Sequence, residues 1–242
     1  MKSVVVISPS VSGNMLAEAV LELPPVKAAR SNHYLIICNG TTNGYLARKL
    51  SGGNFEVINF TAGIIQDHCL KVVPGEQRIP PLILKNGKKV DDNYLDILPS
   101  LNSDDVIVKG GNALDNQGNV GILTGADDGG TIGRIYGTVV TQGIKLILPV
   151  SLRKMIYSVN QASNKLGKTV IDQSDGWKVG LFPVSYGEVI TEIEAMKIIF
   201  NVQATLVSSG GYGTSSGDLV FLAEGENSSL QILKNKMEVW KA

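Results

Sequence analysis

The segment Tyr34–Leu50 constrains the fold more than any other stretch of the chain. An aliphatic run, Tyr34-Leu35-Ile36-Ile37-Cys38, stops at a glycine-bearing turn, Asn39-Gly40-Thr41-Thr42-Asn43-Gly44, and Tyr45–Leu50 opens a helix. Phe55–Phe60 follows as a second apolar run that ends at Thr61-Ala62-Gly63. Strand, glycine turn, helix and strand read as a βαβ unit, which imposes parallel pairing through a right-handed crossover.

The rhythm continues on either side of this unit. Val4–Ile7 is a β-branched run suited to a strand buried on both faces. Ser8-Pro9-Ser10 breaks it, and Ser10 or Ser12 suits the N-cap of a helix over Gly13–Leu23. Pro24-Pro25 stops that helix, and a short one around Val26–Ser31 follows. Further along, Asn86-Gly87 predicts a hairpin-like turn between Leu82-Ile83-Leu84 and Val90. Tyr94–Leu98 reads as a brief helix, and Val106-Ile107-Val108 and Ile144–Val150 as strands. Strands arriving roughly every 25–40 residues with helices between them fit an open sheet.

The expected fold class is therefore α/β. It comprises an open, mostly parallel, Rossmann-like sheet with helices on both faces, plus a small C-terminal α+β (βαββα) subdomain. In that tail Leu181–Tyr186 reads as a strand, Glu188–Phe200 as an amphipathic helix, Ala204–Ser208 and Leu219–Ala223 as strands, and Leu230–Trp240 as a final helix. The expected division is a ligand-binding domain over 1–180 and a subdomain over 181–242, whose surface suits a homodimer.

Bulk properties exclude several classes. At 242 residues the chain is long enough to bury a core without a metal or disulfide staple. It has 22 basic and 22 acidic residues, so the basic excess that nucleic-acid binding rests on is missing, and no nucleic-acid partner is expected. Lys85, Lys88 and Lys89 read as a solvated hairpin. Cys38 and Cys69 form no CxxC pair and read as reduced thiols. MKSVVVISPS has too short an apolar run for a signal peptide or a membrane span, so the expected location is cytoplasmic, with no membrane partner.

Three glycine clusters carry the candidate chemistry. In the first, Gly40, Thr41, Thr42 and Asn43 bring backbone amides to a helix N-terminus, where the dipole and the threonine hydroxyls favour an anion; a threonine-capped turn that binds nothing is the alternative. The second, Lys109-Gly110-Gly111-Asn112-Ala113-Leu114-Asp115, follows a buried strand, and ligands of open α/β sheets bind beyond the strand C-termini. Lys109 would neutralise an anionic substrate and Asp115 would serve as general base, unless Asp115 caps the turn and Lys109 is solvated. In the third, Gly125–Gly133, the run Gly129-Gly130-Thr131 is a better phosphate cradle than Asp127-Asp128 is a Mg²⁺ site.

The remaining candidates are weaker. His33 and His68 fall in no metal-ligand spacing, and Asp67-His68-Cys69, taken as extended, points alternate side chains to opposite faces. Glu192 and Glu194 diverge on a helix, and surface solvation is the simpler reading of both. Ser208–Asp218 reads as a closing lid or a long hairpin loop. No Walker loop, nucleophile elbow or zinc pattern is present, and no metal or cofactor is expected.

In order, these motifs resemble the ribose-5-phosphate isomerase/CoA-transferase-like superfamily, with the closest similarity to the sugar-phosphate-sensing domains of DeoR-type repressors. The similarity spans roughly residues 30–155. It lies in Ile36–Thr42 followed by Leu46-Ala47-Arg48-Lys49-Leu50, in Val57–Gly63, and in Asp105–Asp115. The resemblance implies that Gly40, Thr41, Thr42, Lys109, Gly110, Gly111, Asn112 and Asp115 line a site for a phosphorylated ligand. The isomerases' Asp-Gly-Ala-Asp-Glu pattern is absent, as is the repressors' helix-turn-helix. Two readings stay open: an isomerase or transferase acting on a small anionic metabolite, and a non-catalytic sensor of such a metabolite that signals through the tail.

Overall fold

The computed structural model describes residues 1–241. β1 (Lys2–Ile7), α1 (Pro9–Glu22) and α2 (Pro24–Asn32) precede β2 (Tyr34–Ile37) and α3 (Thr41–Ser51). Two hairpins follow, β3 (Gly63–Gln66) with β4 (Cys69–Val72), and β5 (Leu82–Lys85) with β6 (Lys88–Val90). After α4 (Tyr94–Ile97) come β7 (Val106–Val108), β8 (Ala113–Leu114), β9 (Val120–Thr124), α5 (Gly130–Gln142) and β10 (Lys145–Pro149). The last stretch holds α6 (Val159–Lys165), β11 (Gly180–Val184), β12 (Glu188–Ile190), α7 (Glu192–Phe200), β13 (Gln203–Gly210), β14 (Asp218–Glu224) and α8 (Asn227–Lys241).

The central sheet has six strands in the order β12-β10-β7-β2-β5-β6. The first four run parallel, and β5 and β6 are antiparallel, so the fold is α/β with a mixed, mostly parallel, Rossmann-like sheet. Both faces are covered. Leu35, Ile37, Val106, Val108 and Ile147 pack with α1, α3 and α7, while Ile36, Ile107, Leu146 and Leu148 pack with α5. Each such aliphatic side chain contributes about 1.5–3 kcal/mol on burial.

Several elements differ from the sequence reading. Phe55–Phe60 is not a strand; Val57–Phe60 is a 3-10 turn packed on α3. The Cβ-less Gly44 admits Val57, whose Cγ1 lies 2.7 Å from where a Cβ would stand, so this apolar run serves helix packing rather than sheet pairing. The parallel neighbour of β2 is instead β7, reached through the two intervening hairpins. Val4–Ile7 is buried on one face only: Val5 and Ile7 point inward, while Val4 is 66% and Val6 49% exposed. A uniform Val-Val-Val-Ile string hides the alternation that the pairing imposes.

The cap of α1 is Ser8, not Ser10 or Ser12, because Pro9 takes the first helical position. Asp67 and His68 are not extended; both have positive φ (51° and 61°) and make the β3–β4 turn. Asn86-Gly87 forms the expected turn with φ of 50° and 78° at its two positions.

Glu188–Phe200 is split: β12 pairs with β10, and Thr191 then caps α7 in a capping box with Glu194. The tail expected as β-α-β-β-α, opening with Leu181–Tyr186, is instead β11-β12-α7-β13-β14-α8, with β11 paired to β9. β14 pairs between β1 and β13 in an antiparallel sheet, and Val5, Ile7, Leu219 and Phe221 join the same apolar cluster as Ile37 and Val108. Residues from both sides of position 180 therefore share that sheet, the central sheet and one core.

Candidate anion-binding site

Three adjacent parallel strands, β2, β7 and β10, end on the same side of the sheet, and the bend after each is tied to its neighbour. Cys38 donates its amide to Val108 O, and Lys109 donates its amide to Ile147 O. The Asn43 side-chain amide donates to Cys38 O (2.8 Å) and Val108 O (3.0 Å), fastening the β2 bend to the β7 bend. Asn39 donates through its side chain to Ile79 O at 2.8 Å.

No side chain caps α3 at Gly40, so the first-turn amides of Thr41 and Thr42 stand without a side-chain acceptor at the positive end of the helix dipole. Gly40 itself is extended (φ 162°), and a Cβ there would meet nothing closer than Asn43 Cβ at 4.0 Å. At α5 the bend uses Gly129 and Gly130 with φ of 76° and 60°. Such left-handed backbone favours glycine. Asp128 accepts the Gly130 amide and the Arg134 guanidinium (2.6 Å), and Asp127 pairs with Lys168.

These bends surround one cavity of about 620 Å³. Gly40, Thr41 and Thr42 line it, as do Lys109, Gly110, Gly111, Asn112, Gly129, Gly130 and Thr131. Because α3 and α5 pack on opposite faces of the sheet, two helix N-termini reach the cavity from opposite sides. Its other walls are the β3–β4 hairpin, Ile122–Thr124, Trp177 and Val179.

Two candidates lie elsewhere. Asn43 is fully buried as the clip between bends, and its Oδ1 has no hydrogen-bond partner. Asp115 is 3% exposed and does not line the cavity. It accepts the amides of Gln117 (3.1 Å), Asn119 (3.0 Å) and Val159 (3.0 Å) together with the Asn119 side chain. Burial raises its pKa, but these donors outweigh burial and hold the carboxyl below its ordinary value. A carboxylate so occupied ties a turn to α6, outside the cavity lining. The Ser208–Asp218 segment also stays outside the lining, with Tyr212 96% exposed on a hairpin loop.

The sequence reading missed four cations. Lys71, Arg78, Arg134 and Lys154 line the cavity beside Lys109, and among the described residues no Asp, Glu or His joins them. Lys71 is paired with Asp67 and Arg134 with Asp128; Lys109 and Lys154 end on backbone carbonyls. Arg78 donates to Val73 O at 2.6 Å, and its buried Nε has no partner. Lys154 had a visible signal, since it follows the strong β10 run as Lys109 follows β7. Arg78 stands in an irregular proline-rich stretch that offers none.

The two lysines without carboxylate partners are electrostatically strained. Lys109 donates to Asn39 O at 3.3 Å, and burial lowers its pKa, with Cys38 opposing. Cys38, fully buried, is pushed up to about 11 by desolvation, against the pull of Lys109. Lys154 donates to Gly111 O at 2.6 Å. Burial first, then the charges of Arg153 and Lys109, bring it down to about 8, with Glu192 opposing.

No family model and no curated protein matches the chain. A solved structure of a D-ribose-5-phosphate isomerase in complex with phospho-erythronic acid is similar at 15% identity and a TM-score of 0.32, covering 92% of this chain and 84% of that one. A likeness of that depth fixes neither fold nor function.

Proposed function

We propose that this chain binds a small phosphorylated or carboxylated metabolite in the cavity at the strand C-termini and converts it by isomerisation or group transfer. One observation carries the reading: a chain of zero net charge lines this cavity with five cationic side chains and no acidic one. Two helix N-termini reach the same place, and that of α3, which no side chain caps, adds partial positive charge there. The phosphate anchor is Gly40, Thr41 and Thr42 with Lys109. The motif resemblance over residues 30–155 supports a sugar phosphate as the substrate class. Residues 1–180 would form the ligand-binding part and 181–242 its partner-facing appendage, with a homodimer as the oligomer.

The position of Asp115 favours the second reading, a sensor that binds the same ligand without turning it over. Differential scanning calorimetry with inorganic phosphate, sugar phosphates and short carboxylates tests the common part. A ligand at 100 times its Kd adds about 2.7 kcal/mol of stability. Thr41→Val combined with Lys109→Met is expected to remove the shift while leaving the circular dichroism spectrum intact. An unchanged shift in that double variant would refute the site.

A further inference from the structure

The structure assigns to Lys154 a role as an amine nucleophile toward a carbonyl-bearing anionic metabolite, an inference that rests on the anion site above. The cavity is divided by function along its floor. Lys109 ends on Asn39 O, next to the uncapped α3 amides that take the anion. Lys154 ends on Gly111 O, at the other end of the Lys109-Gly110-Gly111 bend and on the side contributed by β10. A ligand anchored by its phosphate or carboxylate at Gly40–Thr42 extends along this bend toward the Lys154 amine.

The surroundings of Lys154 suit an amine rather than a fixed charge. Its neighbours are the backbone carbonyl it donates to, the cations Arg153 and Lys109, and the carboxylate of Glu192. Glu192 is fully buried, with both oxygens already taken by the Ser12 hydroxyl and the Leu152 amide, so it forms no ion pair with Lys154. A lysine desolvated beside other cations is an established way to activate an amine. With Lys154 near 8, about one amine in ten is neutral at pH 7, against fewer than one in a thousand for an ordinary lysine.

The chemistry balances without a co-reactant. The neutral Nζ adds to the carbonyl carbon, forming a C–N bond as the C=O π bond opens to a carbinolamine. The former carbonyl oxygen takes one proton from Nζ and a second from solvent and leaves as water, so that amine, carbonyl and one solvent proton yield a protonated imine and H2O. The imine withdraws electrons from the adjacent carbon and so acidifies its C–H bond, the step that an isomerisation requires. The substrate class is thus an aldehyde, ketone or 2-oxo acid that also carries phosphate or carboxylate.

Borohydride trapping tests the assignment. The full chain is incubated at pH 7 with dihydroxyacetone phosphate or with pyruvate, reduced with sodium borohydride, and mapped by peptide mass spectrometry. A secondary-amine adduct is expected on Lys154 at least about tenfold above any surface lysine, given the larger neutral fraction. It is expected to disappear in Lys154→Arg and to be suppressed by excess inorganic phosphate. No adduct with either probe, adducts spread evenly over lysines, or labelling unchanged in Lys154→Arg would overturn the assignment. Thermal shifts with inorganic phosphate on the same samples separate the two failures. A shift without an adduct leaves the anion site standing and removes the imine; neither signal removes both.

Discussion

Glu192 accepts the backbone amide of Leu152 at 2.9 Å across forty positions of sequence, and its other oxygen takes the Ser12 hydroxyl. One buried carboxylate at the start of α7 thereby holds α1 and the turn that carries Lys154. Glu192→Ala strands two buried donors and opens a void, and is expected to cost about 2–4 kcal/mol. Urea unfolding of the variant and the parent measures this. A loss under about 0.5 kcal/mol would mean that the contact is a surface-grade one.

Anion affinity is expected to depend on the protonation of Lys154. Its pKa in the folded chain, about 8, lies below the unfolded value, so the folded state binds fewer protons between about pH 8 and 10. The sign follows: this group makes folding less favourable below pH 8, and stability rises with pH through that window. Phosphate binding runs the other way, because an anion favours the ammonium; affinity falls above pH 8 and binding takes up protons. Calorimetric titrations in buffers of different ionisation enthalpy read the uptake, and Lys154→Met is expected to reduce it, leaving the share of Lys109, whose pKa burial also lowers.

Asp115→Asn separates structure from chemistry. The carboxylate holds amides of two segments, so the variant is expected to lose about 1–3 kcal/mol of stability while keeping its phosphate-induced thermal shift. Its folded pKa is lowered, so the stabilisation it provides is present above the unfolded value and lost as pH falls through the folded one. The parent's acid-unfolding profile, compared with that of Asp115→Asn, checks this: the two curves converge at low pH.

Gly111→Ala and Gly40→Ala are expected to behave oppositely. A Cβ at Gly111 would stand 2.3 Å from Val120 Cγ1, well inside contact distance, and overpacking of this kind costs about 1–3 kcal/mol. At Gly40 the space is open and the backbone extended, so alanine should leave the melting temperature nearly unchanged and act on phosphate affinity alone. Melting and titration of both variants decide the matter.

How much of this was legible in the sequence depended on the range of the interaction. Val106–Val108 and Ile144–Val150 were readable as strands because a strand buried on both faces is apolar without interruption. The Gly40–Thr42, Lys109–Asn112 and Gly129–Thr131 bends were readable because each follows a strand or opens a helix. Val57–Phe60 was not, since a β-branched run looks the same whether it pairs in a sheet or packs on α3. Glu192 looked like a solvated helical acid, and only Ser12 and Leu152, 180 and 40 positions away, make it internal. Lys71 reaches the cavity on the β3–β4 hairpin and Arg78 on the irregular stretch after it, placements that no local pattern encodes.

The β1–β14 pairing has a consequence for how this chain reaches its native state. Lys2 lies opposite Glu224 and Ile7 opposite Leu219, so on a ribosome the earliest strand is made long before the one it zips onto. Val5 and Ile7 must wait without their seat while the central sheet assembles around β2, β7 and β10. Closing so distant a contact is slow in folding reactions generally. The latch between the two distant strands therefore cannot shut until residue 224 has been made.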